Sequence, residues 1–500
     1  MEYNKSHIFL KKISHSLIKN NYLLINYLNT ISCIRFFRLE YDSFLLRMGF
    51  LRKLLLIKSA ITVVFIARYL LKNPVIPQLK DQWWADGSPK VQDEKITPFK
   101  IKVSDEVLID LNERLFKSTR MVPALEGIGF QYGFNAEFLK TVQQYWMNKY
   151  NWKEQEAFLN TFAHFKTNIG GLGIHFIHAK PSKELMKNKK VLPLLLLHGW
   201  PGSFIEFTKI IPLLTRETEG YDFVFELVVP SLPGYGFSDP ARKPGLGPAE
   251  MGLIFDRLMK RLLYDKYYVQ GGDWGSLIGS NMATLFPDRV KGLHLNMVAV
   301  STIGSNVGLM LGSLWPSLLM PADKVHLTYP LSSKFLHIIQ ETGYFHIQAT
   351  KPDTVGMALS DSPIGLAAYI LEKFSTWTKA SSTKLQDGGL LQKFTMDELL
   401  NNVMIYWTTN SITTSMRLYS EAMSAKTFGY DLDNIACVVP TGAAVFPEEL
   451  FVQPAPLVKF KFTNLITYNI MDRGGHFAAY EEPQLLADEV LQFVQQVEKL

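Results

Sequence analysis

The sequence predicts an α/β fold with a mostly parallel sheet, on three observations. Two continuous apolar runs, Val191–Leu197 (VLPLLLL) and Phe223–Val229 (FVFELVV), each stop at a Gly/Pro turn, His198-Gly199-Trp200-Pro201-Gly202 and Pro230-Ser231-Leu232-Pro233-Gly234. Runs without polar alternation, bounded in this way, suit parallel strands covered on both faces. Between Ala249 and Asp265, the residues Met251, Phe255, Leu258, Met259 and Leu262 recur at helical spacing, the stripe that an amphipathic helix buries. A strand at Lys266–Gln270, the turn Gly271-Gly272-Asp273-Trp274-Gly275 and a helix through SLIGSNMATLF closed by Pro287 continue the alternation of a doubly wound sheet.

At 500 residues, 47% hydrophobic and 20% charged, the chain is globular in usage, which excludes collagen-like, coiled-coil and disordered classes. Its net charge of +6 is concentrated in residues 1–72, where Lys and Arg far outnumber Glu2, Glu40 and Asp42. The remainder is mildly acidic and has no basic stripe, so nucleic acid is not an expected partner. Cys33 and Cys437 are too few for a disulfide framework or a cysteine zinc site, which points to a reducing compartment.

Taken from the N-terminus, residues 1–47 show no steady period and are expected to be an extension, with Met48 as the functional start. Residues 48–73 read as a membrane anchor. LLLIKSAITVVFIARYLL (54–71) is followed by Pro74 and Pro77, and Lys58 and Arg68 lie near the ends of its apolar centre, where their stems can snorkel. No small-residue cleavage site follows; the alternative is an amphipathic surface helix. Residues 83–182 are expected to form a helical and extended cap, with a helix over 104–116 and a strand at Gly170-Gly171-Leu172-Gly173-Ile174-His175, where the glycines are unexpected. Core segments at 190–310 and 431–500 flank a helical, aromatic-rich lid at 311–430, and strands are expected again at Ile435–Val439 and Leu465–Ile470.

Gly271-x-Asp273-x-Gly275, between a strand and a helix, has the spacing of a nucleophile elbow, whose glycines permit a sharp turn. An Asp there suits displacement at a strained or activated sp³ carbon better than attack on an ester or amide; the bland reading is a helix N-cap. Nucleophile, acid and His in that chain order would place the histidine in Arg473-Gly474-Gly475-His476-Phe477, while His198 reads as structural. Glu448 and Glu449 follow the preceding strand, Asp431 and Asp433 come before it, and position does not separate the two glutamates. An oxyanion hole needs two converging N–H groups: Trp274, after the nucleophile, and Trp200, in a turn that Pro201 holds tight or cis.

With these motifs together, the chain resembles the microsomal epoxide hydrolase family, including its insect juvenile hormone branch, over roughly residues 48–500. The matching segments are HGWPGS (198–203), PSLPGYGFSDP (230–240), GGDWGS (271–276), GYFHIQATKPDT (343–354) and RGGHFAAYEEP (473–483). The resemblance implies an α/β-hydrolase core in which Asp273 is the nucleophile, His476 the base and Glu449, fourth in F-P-x-E, the acid. It also implies that the lid tyrosines Tyr344 and Tyr419 activate an epoxide oxygen. It implies further that lipophilic epoxides and water give vicinal diols through a covalent Asp ester, without cofactor or metal, in a protein anchored in the endoplasmic reticulum with its body in the cytosol. The rivals are a haloalkane dehalogenase, which also uses an Asp elbow, and a catalytically silent lipophile binder.

Overall fold

The computed structural model describes residues 75–500; the expected extension, the anchor, Met48 and Cys33 lie outside the described residues. Among them nine strands form one sheet: β1 (Thr97–Phe99), β2 (His164–Ile169), β3 (Leu172–Ala179), β4 (Lys190–Leu197), β5 (Phe223–Pro230), β6 (Tyr267–Gly271), β7 (Val290–Leu295), β8 (Thr441–Val445) and β9 (Leu465–Ile470). Their order is β1-β2-β3-β5-β4-β6-β7-β8-β9. From β5 to β9 every neighbour is parallel. The central strands are covered on both faces, as their unbroken apolar runs require: Leu194 to Leu197 and all of β6 are buried. The helix Pro248–Arg261 buries Met251, Phe255, Leu258 and Met259, and the helix Asp273–Leu285 follows β6.

Two elements depart from the sequence expectation. Residues 83–182 do carry helices, Asp105–Lys117, Ala136–Asn148 and Trp152–Leu159, but they also extend the main sheet, because β1, β2 and β3 add to the edge of β5 as antiparallel strands. The unexpected glycines explain the hairpin. Gly170 and Gly171 form its two-residue turn at φ +62° and +82°, values that L side chains resist and that match strand twist. The strand itself begins only at Leu172, and the Gly173 N–H donates to Asp239 Oδ2 at 2.8 Å.

The second departure is β8, expected at Ile435–Val439 and found at Thr441–Val445. Pro440 has no N–H to give, and the carbonyls before it are taken: the buried Lys461 ammonium donates to Leu432 O and Ile435 O, each at 2.6 Å. Ladder pairing with β7 starts after the proline, where Leu293 N donates to Pro440 O at 2.9 Å and Leu293 faces Thr441. Between β7 and β8 the chain is mostly helical, from Ile303–Gly312 to Ala425–Gly429. This is the inserted lid, beginning slightly earlier than expected.

Candidate active site

Parallel strands end on the same edge of a sheet, and the loops that leave β4, β6, β8 and β9 there converge. The loop after β6 is the elbow. Asp273 sits at φ +49°, a left-handed conformation that costs a non-glycine residue energy and lifts its side chain clear of the sheet. The turn is tight enough that a Cβ on Gly275 would overlap the Leu197 backbone. After β4, the Trp200–Pro201 peptide is cis, and the Trp200 N–H donates to Asp273 Oδ1 at 2.8 Å. The second expected donor, Trp274, is in the first turn of its helix, where N–H groups have no intrahelical acceptor.

The loop after β9 brings His476 to the same carboxylate, with Nε2 at 3.3 Å from Asp273 Oδ2. Its other nitrogen, Nδ1, lies 2.7 Å from Glu449 Oε1, which also accepts the Leu450 N–H at 2.8 Å. The choice between glutamates thus falls on Glu449; Glu448 donates its backbone N–H to Gly474 O and its charge acts on Lys334. Asp431 and Asp433 precede β8, at the opposite end of that strand from the site. Burial pushes the His476 pKa down, but the Glu449 charge, hydrogen bonds to Asp273 and Glu449 and the Asp273 charge outweigh it, and the ring titrates well above the ordinary histidine range. Asp273, His476 and Glu449 therefore form a carboxylate–imidazolium–carboxylate row.

His198 is structural in its contacts: Nε2 accepts the Leu232 N–H at 3.1 Å, Nδ1 meets Gly199 O at 3.0 Å, and burial lowers its pKa to about 4. It ties the β4 and β5 loops together as a neutral ring.

The lid supplies an aromatic wall. Tyr344 stacks on Trp200 at 5.2 Å between ring centres, and Tyr419 meets Trp274 edge-on at 4.6 Å and Tyr344 at 5.9 Å. Tyr419 is 1% exposed, and its buried hydroxyl makes no well-formed hydrogen bond, with the Tyr344 phenol and the Trp274 side chain as its polar neighbours. Burial, with Asp273 contributing, holds both phenols well above the ordinary tyrosine range, so each stays a donor at neutral pH. Trp377 caps the row: its ring is 4.8 Å from that of His476, and its carbonyl accepts the His476 N–H at 3.0 Å.

Two further carboxyls escaped the sequence reading. Glu481 accepts the N–H groups of Gly475 (3.1 Å) and Phe477 (2.9 Å), on either side of His476. Glu206 lies in the turn after β4. Burial raises both to about 8. Glu481 stands inside a motif already singled out and Glu206 three residues beyond another, so a charged residue in an otherwise buried turn was the available signal. Among the described residues no group of three or more His, Cys, Asp or Glu is placed to hold a metal ion.

Comparison with known proteins gives the relatives of the chain as a whole. Residues 96–207 match the family model described as epoxide hydrolase N terminus, and residues 193–427 match the alpha/beta hydrolase fold. Juvenile hormone epoxide hydrolase 1 of Ctenocephalides felis is 50% identical over 441 residues, 87% of this chain and 94% of that protein. Epoxide hydrolase 1 of Oryctolagus cuniculus is 48% identical over 428 residues, 84% and 94% of the two chains. The crystal structure of juvenile hormone epoxide hydrolase from the silkworm Bombyx mori superimposes with a TM-score of 0.82 at 47% identity, covering 84% of this chain and 99% of that one.

Proposed function

The chain belongs to the epoxide hydrolase family, within the α/β-hydrolase fold, and from that premise we propose that it opens lipophilic epoxides to vicinal diols through an ester on Asp273. The observation that carries the proposal is the Asp273 carboxylate held between the Trp200 N–H and the His476–Glu449 pair. At rest Asp273 is the carboxylate and His476 the imidazolium. Asp273 Oδ2 attacks a ring carbon, the C–O bond breaks, and its electron pair goes to the epoxide oxygen, which accepts hydrogen bonds from Tyr344 and Tyr419. That oxygen takes a proton which His476 makes good.

Ester formation removes the Asp273 charge, one of the influences that hold the His476 pKa up, so the ring becomes a base when one is needed. Water gives His476 a proton and attacks Asp273 Cγ. The oxyanion on Oδ1 meets the N–H groups of Trp200 and Trp274. Collapse expels the diol oxygen, which leaves with the proton of the added hydroxyl, and the carboxylate–imidazolium pair is restored with one water consumed.

The substrate proposed is an apolar epoxide, a juvenile hormone or an arene or alkene oxide, in keeping with the aromatic wall and with relatives named for both hormone and general epoxide hydrolysis. A site in the endoplasmic reticulum membrane, anchored through residues 48–73 with the body in the cytosol, remains part of the proposal on the hydropathy of 54–71. No single helix among the described residues is long and apolar enough to cross a membrane.

The test is a His476→Gln protein given epoxide. The expected result is a mass gain of one substrate on the protein with no diol, and a His476→Gln protein that turns over at the wild-type rate without an adduct overturns the mechanism. Haloalkane dehalogenation, the other use of an Asp elbow, is scored in the same series by halide release from a haloalkane.

A further inference from the structure

Beside Asp273 and His476 is a cavity of about 10 Å³, lined among others by Asp273, His476, Glu206, Asn296 and the backbone of Gly199. That is about the smallest space that admits a single water molecule, which needs two to four polar partners to be held. Glu206 is the polar member of the turn Phe204–Phe207, whose Phe204, Ile205 and Phe207 are buried. Those anchors fix the direction of the one side chain that does not join them. It points back under the preceding loop, because a Cβ on Gly202 would overlap Glu206 Oε1. The loop is itself pinned, by Ser203 Oγ donating to Asn402 Oδ1 at 2.8 Å and Asn402 Nδ2 donating to Pro201 O at 2.7 Å. Glycine at 202 thus makes room for a carboxyl that reaches the cavity next to the reacting carbon.

We propose that Glu206 is the water-positioning residue of the second half-reaction: its carboxyl oxygen accepts one O–H of the hydrolytic water while His476 Nε2 accepts the other. The oxygen lone pair is then left facing Asp273 Cγ. The proposal rests on the Asp273 ester mechanism above. The step balances as already written, since Glu206 accepts a hydrogen bond and neither gains nor loses a proton.

Glu206 caps the start of its own turn by accepting the Ser203 backbone N–H, but it is buried without an ion pair, and among the described residues no lysine or arginine forms a salt bridge with it. The charged groups that act on it are His476, Asp273 and Glu481, and burial raises its carboxyl to about 8. A neutral carboxyl still accepts a hydrogen bond through its carbonyl oxygen, so the role survives at neutral pH. Burial without a cation is costly for such a group, which makes its retention next to the reacting atoms a functional signature.

The experiment is a single-turnover time course on wild type, Glu206→Leu and Glu206→Gln, following the ester on the intact protein by mass and the diol by chromatography. Glu206→Leu is expected to form ester at the wild-type rate and to hydrolyse it about 10²-fold more slowly, the scale of losing one positioning contact. Glu206→Gln keeps a carbonyl acceptor and is expected to recover hydrolysis to within about tenfold, which a packing role would not predict. Glu206→Gln keeps an acceptor for the Ser203 N–H and should leave the melting temperature at or above that of wild type, while Glu206→Leu loses that acceptor and should melt no higher than Glu206→Gln. Ester hydrolysis in Glu206→Leu within threefold of wild type overturns the proposal, as does an equal loss in both half-reactions. If no ester forms in the wild type or the variants, the ester mechanism itself fails and the water assignment falls with it.

Discussion

Replacing Tyr419 by Phe removes one oxygen atom from the aromatic wall, and the structure gives activity and stability opposite signs. The hydroxyl is buried, in a side chain 1% exposed, and makes no well-formed hydrogen bond, lying beside the Tyr344 phenol and the Trp274 side chain. Leaving a hydroxyl so placed costs the fold roughly 1–3 kcal/mol, so Phe should hold or raise stability. In the proposed reaction the same hydroxyl donates to the epoxide oxygen, and that bond strengthens as charge develops there during ring opening. Loss of one donor to a developing oxyanion is worth about 2.7–4 kcal/mol, or 10²–10³ in rate, and with Tyr344 still present the lower figure applies.

The assay pairs the single-turnover rate of ester formation with the thermal midpoint from calorimetry. Tyr406→Phe is the contrast, because that buried hydroxyl donates to Gly202 O at 2.7 Å; it should lose about 1 kcal/mol of stability. A Tyr419→Phe protein that melts as low as Tyr406→Phe, or that forms ester within threefold of wild type, would refute the reasoning.

Other outcomes follow from the same contacts. Gly199→Ala should eliminate ester formation, since a Cβ there would overlap the Asp273 carboxylate; intact mass after incubation with epoxide reads this directly. Glu449→Gln removes the charge that raises the His476 pKa. Because the base must be neutral to take a proton, the acid limb of the ester-hydrolysis rate should move to lower pH, with a plateau about 10- to 100-fold lower as the base weakens. Glu498 binds Lys190, Lys291 and Tyr268. Burial alone would raise its carboxyl, but these partners bring it down to about 2. A depressed carboxylate stabilises the fold above its ordinary pKa and loses that contribution as pH falls through the folded value. Glu498→Gln should therefore cost on the order of 1–2 kcal/mol at pH 7 and flatten the decline in stability between pH 4.5 and about 2, measured by urea titration across that range.

What could be read in advance divides by the physics of each residue. Asp273 and His476 were accessible because each sits in a glycine-containing turn soon after a strand, a signal local to a few residues. Glu449 was not separable from Glu448 by position, since neighbours on a loop point different ways and only the 2.7 Å contact with His476 decides. Tyr344 and Tyr419 lie on separate lid helices, and no local pattern joins them; only the family resemblance singled them out. The apolar run at Ile435–Val439 looked like a strand because hydropathy does not register Lys461 capturing its neighbours' carbonyls. The hairpin at Gly170-Gly171 was hidden for a related reason: two glycines read as a weak strand until their positive φ values show them to be the turn.

The lid leaves the sheet after β7 and returns at β8, its immediate neighbour. The sheet is therefore indifferent to how long the excursion is or what it contains, and Trp200, Asp273, Glu449 and His476 all hang from strand ends outside it. Variation within residues 303–430 can reshape what enters while leaving the release chemistry in place. Fixed points limit that freedom: the two phenols, the Trp377 carbonyl that holds His476, and Asn402 and Tyr406, which bind the Pro201–Ser203 loop. Two lineages with the same chemistry and different diets of epoxide would thus be expected to diverge here first, and a graft of this one segment is the natural unit for exchanging their preferences.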